Sequence, residues 1–180
     1  MVDRIILIGM MGAGKTTVGR LLADRMGWRH IDSDAQVVAA TGRSVHELFE
    51  QWGEDAFRAE EASVLAEALS GQEPVVVSAA GGVVLAPSNR ALIARSGTVV
   101  WLRADPGQLA RRVGTGHGRP LLGEDPAARL VELDRARRPH YQALAQVVVD
   151  VDALTPTEVV ERLLVDPAVT GVVTGSAGPA

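Results

Sequence analysis

The chain has 180 residues, a formal net charge of −4 and no cysteine. Its length fits one domain with its own hydrophobic core, and the acidic balance argues against a nucleic-acid-binding protein. The absence of cysteine excludes disulfides and thiolate metal sites. The apolar run at residues 4–9 is too short to span a bilayer, and no other stretch approaches that length. The sequence therefore predicts a cytoplasmic protein without membrane contact.

Apolar runs rich in valine and isoleucine alternate with segments of helical spacing. The runs, each predicted to form a strand, cover residues 4–9, 28–31, 74–79, 98–102 and 147–151. The helical spacing covers residues 16–26, 35–40, 45–70, 89–95, 108–113, 127–144 and 157–165. Continuous apolar strands that alternate with helices predict a parallel sheet covered on both faces. Right-handed crossovers then give a doubly wound α/β domain.

Two segments fall outside this alternation. The tail at 167–180 consists of small residues and is rich in glycine, without helical spacing, so we predict a disordered tail after a single domain at 1–166. The stretch GTGHGRPLLGEDP lies between two predicted helices, is rich in glycine and contains an arginine. Such a loop is either a passive connector or a mobile lid.

Residues 9–17 read GMMGAGKTT and fit the phosphate-binding pattern G-x-x-x-x-G-K-[ST] between a predicted strand and a predicted helix. The glycines let the backbone fold around phosphates, and the helix N-terminus points its N–H groups at them. Lys15, the only lysine of the chain, reaches the β- and γ-phosphates, and the Thr16 hydroxyl can bind Mg²⁺. The residues predicted to hold ATP in this loop are Gly12, Ala13, Gly14, Lys15, Thr16 and Thr17.

Two other classes of P-loop protein lack their characteristic segments here. A GTPase carries an N-K-x-D segment, which is excluded because Lys15 is the only lysine. An ATPase motor carries an acidic pair after a second apolar strand, but the strand at 75–77 runs into SAAGGVV without any acid. Glycines at the carboxyl end of a parallel strand lie where ligands bind, although a tight turn into the next helix explains them as well.

The stretch HIDSD places Asp32 and Asp34 just after the predicted strand at 28–31. The end of a strand adjacent to the phosphate-loop strand faces the same crevice of an open α/β sheet. Asp32 is therefore predicted to hold the waters of Mg²⁺, and Asp34 to accept hydrogen bonds from a substrate hydroxyl. A structural alternative stays open, in which Asp34 caps the helix that begins at Ala35.

Further motifs follow in order along the chain: FRAEE, AGGVV, RPLL and RRPHY. Together with GxxGAGKTTVGRLLA and DSD, they resemble shikimate kinase over residues 5–164. The resemblance implies a P-loop, nucleoside-monophosphate-kinase-like three-layer α/β fold. Its parts are a five-stranded parallel sheet, a helical substrate-binding segment at about 32–61 and a lid at about 112–124. It also implies ATP-dependent, Mg²⁺-assisted phosphorylation of the 3-hydroxyl of shikimate, a step of aromatic amino-acid biosynthesis.

The resemblance assigns residues to the acceptor. Asp34 matches the aspartate that binds the shikimate hydroxyls and can take the proton. Arg58 matches the arginine that clamps the carboxylate, and Glu61 orients it. Arg137, rather than Arg138, matches a second carboxylate-binding arginine. Arginine suits this task because its planar fork of donors fits a carboxylate, although Arg58 and Glu61 would also fit a surface i,i+3 ion pair.

The remaining matches concern the shikimate ring, the metal and the nucleotide. Gly81 and Gly82 match glycines that line the shikimate ring, and Asp32 matches the acid near Mg²⁺. Arg119 matches the lid arginine that meets the phosphates, and Arg112 the arginine that lies over adenine, with the loop after Val151 on the other side of the base. We further expect ATP and shikimate as small-molecule substrates and a monomeric protein.

Several alternatives remain at this stage. Gluconate kinase shares the fold, the phosphate loop and the mechanism, and a nucleotide-binding module without turnover is a different class of function. Trp52 and Phe57 lie against a ligand or pack within a helical hairpin. The chain also departs from the family at Ala80, where three consecutive glycines are usual. The methyl group of Ala80 is harmless only where the backbone has an ordinary conformation.

Overall fold

The structure is a computed structural model that describes residues 3–114, 122 and 125–174. In this part of the chain the strands are β1 (Arg4–Ile8), β2 (Arg29–Asp32), β3 (Val75–Ser78), β4 (Thr98–Arg103) and β5 (Val147–Asp150). The first helices are α1 (Lys15–Met26), α2 (Ser33–Thr41), α3 (Val45–Ala68) and α4 (Pro87–Ser96). They are followed by α5 (Pro106–Val113), α6 (Pro126–Leu144), α7 (Pro156–Val165) and α8 (Pro167–Thr174), and a 3₁₀ turn covers Val83–Leu85.

The strands form one parallel sheet of five strands in the order β2-β3-β1-β4-β5. The central strand β1 carries the apolar run Ile5–Ile8, all of which is buried. A strand that is covered on both faces needs apolar residues at every position, which explains why β1 does not alternate with polar residues. The predicted five-stranded parallel sheet is therefore confirmed.

Helices cover the sheet in two groups. The first group contains α1, α7 and α8, of which α1 packs on β2 and β3 and α8 packs on β4. The second group contains α4, α5 and α6, of which α4 and α6 pack on β4. Helix, sheet and helix layers give the three-layer α/β architecture that the sequence predicts.

Helices α2 and α3 pack against each other at the edge of the sheet next to β2. They form a small apolar cluster between them. The members of this second cluster are Val37, Leu48, Phe57 and Val64. Helix α3 is kinked at Gly53, whose φ of 80° lies in the region that favours glycine. The region predicted to bind the acceptor thus has a core that is separate from the main one.

The C-terminal tail differs from its sequence-based prediction. Residues 167–174 were expected to be disordered but form helix α8, and Val169 is 0% exposed against the main core. The Asp166 carboxylate accepts a hydrogen bond from the backbone N–H of Ala168 at 2.9 Å, and Pro167 stands at the start of the helix. Burial of one valine and this cap outweigh the weak helical spacing of the segment.

Two other predictions concern segments outside this description. Residues 175–180 of the tail and most of the predicted lid, 115–121 and 123–124, lie outside the described residues. The lid and its boundaries therefore stay a prediction. In the described part of the chain, no helix has both the length and the apolar character that crossing a membrane requires.

Candidate active site

The phosphate loop joins the end of β1 to the start of α1 at the carboxyl edge of the sheet. Gly14, the residue before α1, has a φ of 91°, a conformation that only glycine adopts without strain. The Lys15 ammonium donates hydrogen bonds to the carbonyl oxygens of Gly9 at 2.9 Å and Met10 at 3.0 Å. The single lysine is therefore folded over the loop, at the position where the motif places the phosphates of a nucleotide.

The Thr16 hydroxyl donates a hydrogen bond to the Asp32 carboxylate at 2.5 Å, which joins α1 to the end of β2. The other oxygen of Asp32 accepts from the backbone N–H of Ala35 at 3.1 Å, so Asp32 caps helix α2. The alternative in which Asp34 caps a helix beginning at Ala35 is wrong, because α2 starts at Ser33 and Asp34 lies in its first turn. Asp34 therefore does not cap this helix.

Ser33, between the two aspartates, is hydrogen-bonded to the loop that follows β3, residues 80–82, here called the glycine loop. The Ser33 hydroxyl is buried and accepts a hydrogen bond from the backbone N–H of Ala80 at 2.8 Å. None of the described non-glycine residues has a positive φ, so Ala80 has an ordinary backbone conformation and its buried methyl group is tolerated. The departure from three glycines therefore leaves the loop in place.

The pair Arg58 and Glu61 lies one turn apart on α3, and its guanidinium and carboxylate meet at 2.5 Å. Glu61 is only 3% exposed, so burial raises its pKa; Arg58 opposes this shift, Asp34 adds to it and Arg137 opposes it. Burial acts to lower the pKa of Arg58, but the ion pairs with Glu61 and Glu54 outweigh it and raise that pKa. The charges of two arginines and two acids thus converge on one site, which a surface ion pair would not require.

The glycine loop lies flush against the Arg58 guanidinium. A Cβ atom on Gly82 would overlap this group, and a cavity of about 290 Å³ opens beside Arg58, Glu61 and Gly82. This volume suits a small ligand rather than a macromolecule. The absence of a side chain on Gly82 is what leaves the guanidinium accessible from the loop.

Arg137 on α6 is 1% exposed, and among the described residues neither its Nε nor its Nη2 has a hydrogen-bond partner. Its Nη1 lies 4.0 Å from the Met10 sulfur. Burial lowers the pKa of Arg137, and the nearby charge of Arg58 acts in the same direction. Buried guanidinium groups are normally fully paired, so an arginine left with unused donors is arranged for an anion.

Tyr141, one helical turn after Arg137, closes the wall of this site. Its hydroxyl donates to the carbonyl oxygen of Gly81 at 2.6 Å and lies 3.8 Å from the Met10 sulfur. A Cβ atom on Gly81 would stand 3.3 Å from the Arg137 Nη1 and 3.2 Å from the Gly9 carbonyl oxygen. The phosphate loop, the glycine loop and α6 therefore meet around the buried guanidinium.

Arg112 and the loop after β5 are the two groups predicted to lie on either side of the adenine. The Arg112 guanidinium donates to the carbonyl oxygens of Val151 at 2.9 Å and Asp152 at 3.4 Å. Arg112 and the loop after β5 are therefore in direct contact, and a base can enter between them only after these hydrogen bonds break. The adenine contacts of Arg112 stay a prediction. Arg119, the predicted lid arginine, lies outside the described residues.

Sequence reasoning missed Ser33, Met10 and Tyr141 as parts of the site. A signal existed for Tyr141, which follows Arg137 by four residues and so shares its helix face. Of the two aromatic candidates, Phe57 belongs to the second cluster and supports the packing interpretation. Trp52 is 48% exposed, with the Arg43 guanidinium 5.2 Å from its ring centroid.

A phosphate loop beside a pocket of arginines and carboxylates, on a five-stranded parallel sheet, is the arrangement of a P-loop kinase for small molecules. A family model described as shikimate kinase matches residues 11–166. The chain belongs to the shikimate kinase family.

Individual relatives agree with this assignment. The shikimate kinase of Symbiobacterium thermophilum is 45% identical over 163 residues, which cover 89% of this chain and 93% of the relative. The solved shikimate kinase from Acinetobacter baumannii, in complex with shikimate, has a TM-score of 0.87 at 31% identity and covers 99% of this chain and 97% of its own. A gluconokinase from Sinorhizobium meliloti has a TM-score of 0.64 at 24% identity, over 97% and 93% of the two chains, and shows only the shared fold.

Proposed function

We propose that this protein transfers the γ-phosphoryl group of ATP to the 3-hydroxyl of shikimate, giving shikimate 3-phosphate and ADP. The observation that carries the proposal is the Arg137 guanidinium, buried at 1% exposure with two nitrogens unused among the described residues. Shikimate carries one carboxylate, which can bind to this fork through two hydrogen bonds. An isolated buried charge is costly, so a bound carboxylate offsets a cost that the free protein carries.

Arg58 is the other carboxylate-binding arginine of the proposal, beside Arg137. Its ion pair with Glu61 fixes the guanidinium plane beside Gly82, so that it meets the acceptor in one orientation. Gly81 and Gly82 line the ring because any larger residue would fill the space next to the two arginines. Asp34, in the first turn of α2, accepts hydrogen bonds from the shikimate hydroxyls.

On the nucleotide side, the N–H groups of Gly12, Ala13, Gly14 and Thr17 and the start of α1 hold the phosphates. Lys15 leaves its bonds to the loop carbonyls and neutralises charge on the β- and γ-phosphates. Arg112 lies over the adenine, and Arg119 from the lid adds positive charge at the γ-phosphate.

Thr16 and Asp32 fit Mg²⁺ as the metal of this reaction. The Thr16 hydroxyl donates its one proton to Asp32 and keeps oxygen lone pairs for a cation. Mg²⁺ binds through few protein oxygens and keeps several waters and phosphate oxygens, so one hydroxyl and one carboxylate suffice. When bound, the ion would supply positive charge against the phosphates of the nucleotide.

The transfer itself needs positioning more than covalent chemistry. The 3-hydroxyl oxygen attacks the γ-phosphorus, and the bond from phosphorus to the β,γ-bridging oxygen breaks on the opposite side. The hydroxyl proton passes to Asp34, and ADP leaves with the electron pair of the broken bond. The two clamping arginines hold the acceptor still during this exchange.

The test is ADP release from MgATP with purified protein and shikimate, gluconate or no acceptor. We expect ADP release only when shikimate is the acceptor, and ³¹P NMR of the product should place the phosphate on the 3-oxygen. Release without an acceptor would make the protein an ATPase, and no release at all would favour a binding module. The monomeric state and cytoplasmic location stay predictions, which size-exclusion chromatography and fractionation of the source cells check.

A further inference from the structure

A histidine without a role in the proposed chemistry reaches the phosphate-loop helix through a serine. His30 on β2 has its Nε2 atom 2.9 Å from the Ser78 hydroxyl oxygen on β3. The Ser78 hydroxyl in turn lies 2.9 Å from the backbone carbonyl oxygen of Lys15, in the first turn of α1. Ser78 is buried, so this chain of contacts runs inside the layer between the sheet and α1.

The positions of the protons in the hydrogen bonds from His30 to Ser78 and from Ser78 to Lys15 can be assigned by elimination. A backbone carbonyl only accepts, so the single proton of the Ser78 hydroxyl goes to the Lys15 oxygen. The Ser78 oxygen is then left to accept, and His30 must donate from Nε2–H. This donor is present in one neutral tautomer and in the imidazolium, so the contact does not depend on the charge of His30.

Two features show that the contact is built into the packing. A Cβ atom on Gly19 of α1 would lie 2.5 Å from the Ser78 hydroxyl oxygen and 2.7 Å from the His30 Nε2 atom, so glycine leaves the room for both groups. His30 and Asp32 are two residues apart on β2 and share one face of the strand. That face holds Thr16 directly through Asp32 and holds Lys15 through Ser78.

We propose that His30 and Ser78 are positioning residues that fix the first turn of α1 against β2 and β3, and thereby hold the phosphate loop ready for MgATP. Lys15 and Thr16, the two residues held, are those that reach the phosphates and the metal in the proposed function, on which this inference rests. The Asp32 contact fixes the side chain of Thr16, whereas the His30–Ser78 contact fixes the backbone from which Lys15 extends. Its loss lets this turn shift and weakens nucleotide binding more than acceptor binding.

The test compares initial rates for His30→Phe, His30→Gln, Ser78→Ala and the double variant His30→Phe/Ser78→Ala. Loss of one hydrogen bond should raise the KM for MgATP about three- to tenfold and leave the KM for shikimate within about twofold. Glutamine keeps a side-chain N–H donor, so His30→Gln should stay within about twofold of the wild type. The double variant should be no worse than the worse single variant, because the two residues act through one contact.

Ser96→Ala is the matched control. Ser96 is also a buried serine whose hydroxyl donates to a helix carbonyl, that of Leu92 at 2.7 Å, but it lies on α4 and has no place in the site. The Ser96→Ala variant should lose a similar hydrogen bond without any change in the KM for MgATP or the KM for shikimate. A purely structural role of His30 would lower the folded fraction, and so the apparent kcat, without separating the two KM values.

The proposal is overturned if both KM values rise equally, if His30→Gln is as defective as His30→Phe, or if the single effects add. Where a variant does not fold, ¹⁵N NMR of the wild-type imidazole decides, since a His30 ring without a proton on Nε2 contradicts the proposal. Calorimetric binding of MgADP without acceptor gives the same comparison independently of turnover. A loss of MgADP affinity in His30→Phe would therefore support the positioning role even if shikimate proved not to be the acceptor.

Discussion

The two halves of the active site differ in how their cations are held before any ligand arrives. On the nucleotide side, Lys15 donates to two carbonyls of its own loop, and Arg112 donates to carbonyls of the loop after β5. On the acceptor side, Arg137 is buried with two nitrogens unused among the described residues. Nucleotide binding must therefore exchange existing hydrogen bonds, whereas a carboxylate gains new ones at the Arg137 Nε and Nη2 atoms, which have no partner among the described residues. The acceptor side is thus preorganised at Arg137, whereas Arg58 on the same side is already paired with Glu61 and Glu54.

The largest expected effect is on kcat and comes from a substitution on the nucleotide side. Lys15→Ala should lower kcat roughly a thousandfold or more, because it removes the positive charge over the transferred phosphoryl group. The protein should stay folded by circular dichroism, and shikimate should still bind in calorimetry because the two halves hold their ligands separately. A kcat within tenfold of the wild type would contradict the role of Lys15.

The next effect removes the buried cation of the acceptor half. Arg137→Met should raise the KM for shikimate roughly a hundredfold, the scale of two lost charged hydrogen bonds. The free energy of unfolding, measured by urea titration, should hold or rise by about 1 kcal/mol, because an unpaired buried charge is replaced by an apolar side chain. A loss of shikimate affinity together with a clear loss of stability would mean that Arg137 is a structural residue.

Arg138 supplies the control for this experiment. It is the neighbour of Arg137 on α6 but is partly exposed and paired with Asp134 at 2.7 Å. Arg138→Met should leave the KM for shikimate unchanged. A strong effect of this variant alone would transfer the second carboxylate contact from Arg137 to Arg138.

Arg58→Ala should weaken shikimate about tenfold, with the KM for MgATP unchanged. The effect is smaller than at Arg137 because Arg58 is 23% exposed and already spends part of its donors on Glu61 and Glu54. The control is Arg129→Ala on α6, which removes another i,i+3 ion pair, that of Arg129 with Glu132 at 2.7 Å. This variant should change neither KM. Equal losses for both substrates in Arg58→Ala would refute the role of Arg58.

The smallest effect concerns the glycine loop between the two halves. Ala80→Gly restores three consecutive glycines and should change kcat and both KM values by less than about twofold, because Ala80 has an ordinary φ. It should lower the free energy of unfolding by about 1 kcal/mol through added backbone freedom and a lost buried methyl group. A gain in activity of tenfold would show that Ala80 constrains the loop.

Local patterns predicted the nucleotide half better than the contacts of the acceptor half. The phosphate loop is one contiguous motif, and the strands of the sheet follow from uninterrupted apolar runs. Asp34, Arg58 and Arg137 come from three helices, so their meeting depends on tertiary packing that spacing does not encode. The resemblance pointed to these residues, but it did not reveal that the Tyr141 hydroxyl and the Met10 sulfur close the wall around Arg137.

The two errors differ in origin. The helix start at Ser33 was missed although its cap is local, because two aspartates stand side by side with one serine between them and Asp32, not Asp34, accepts from the Ala35 N–H. Helix α8 was missed because its stability comes from the burial of Val169 rather than from its own composition. At α8, but not at α2, contact with another part of the chain decides the local structure.

The second apolar cluster, Val37, Leu48, Phe57 and Val64, has a consequence for how this fold acquires new substrates. Helix α3 also gives Leu65 and Ala68 to the main core, so only changes within the second cluster should combine additively with distant changes in the main core. Asp34, Arg58 and Glu61 lie on α2 and α3 and can be replaced without repacking the sheet, whereas Arg137 lies on α6. The solved gluconokinase at 24% identity shares the fold, and a fold alone leaves the acceptor open.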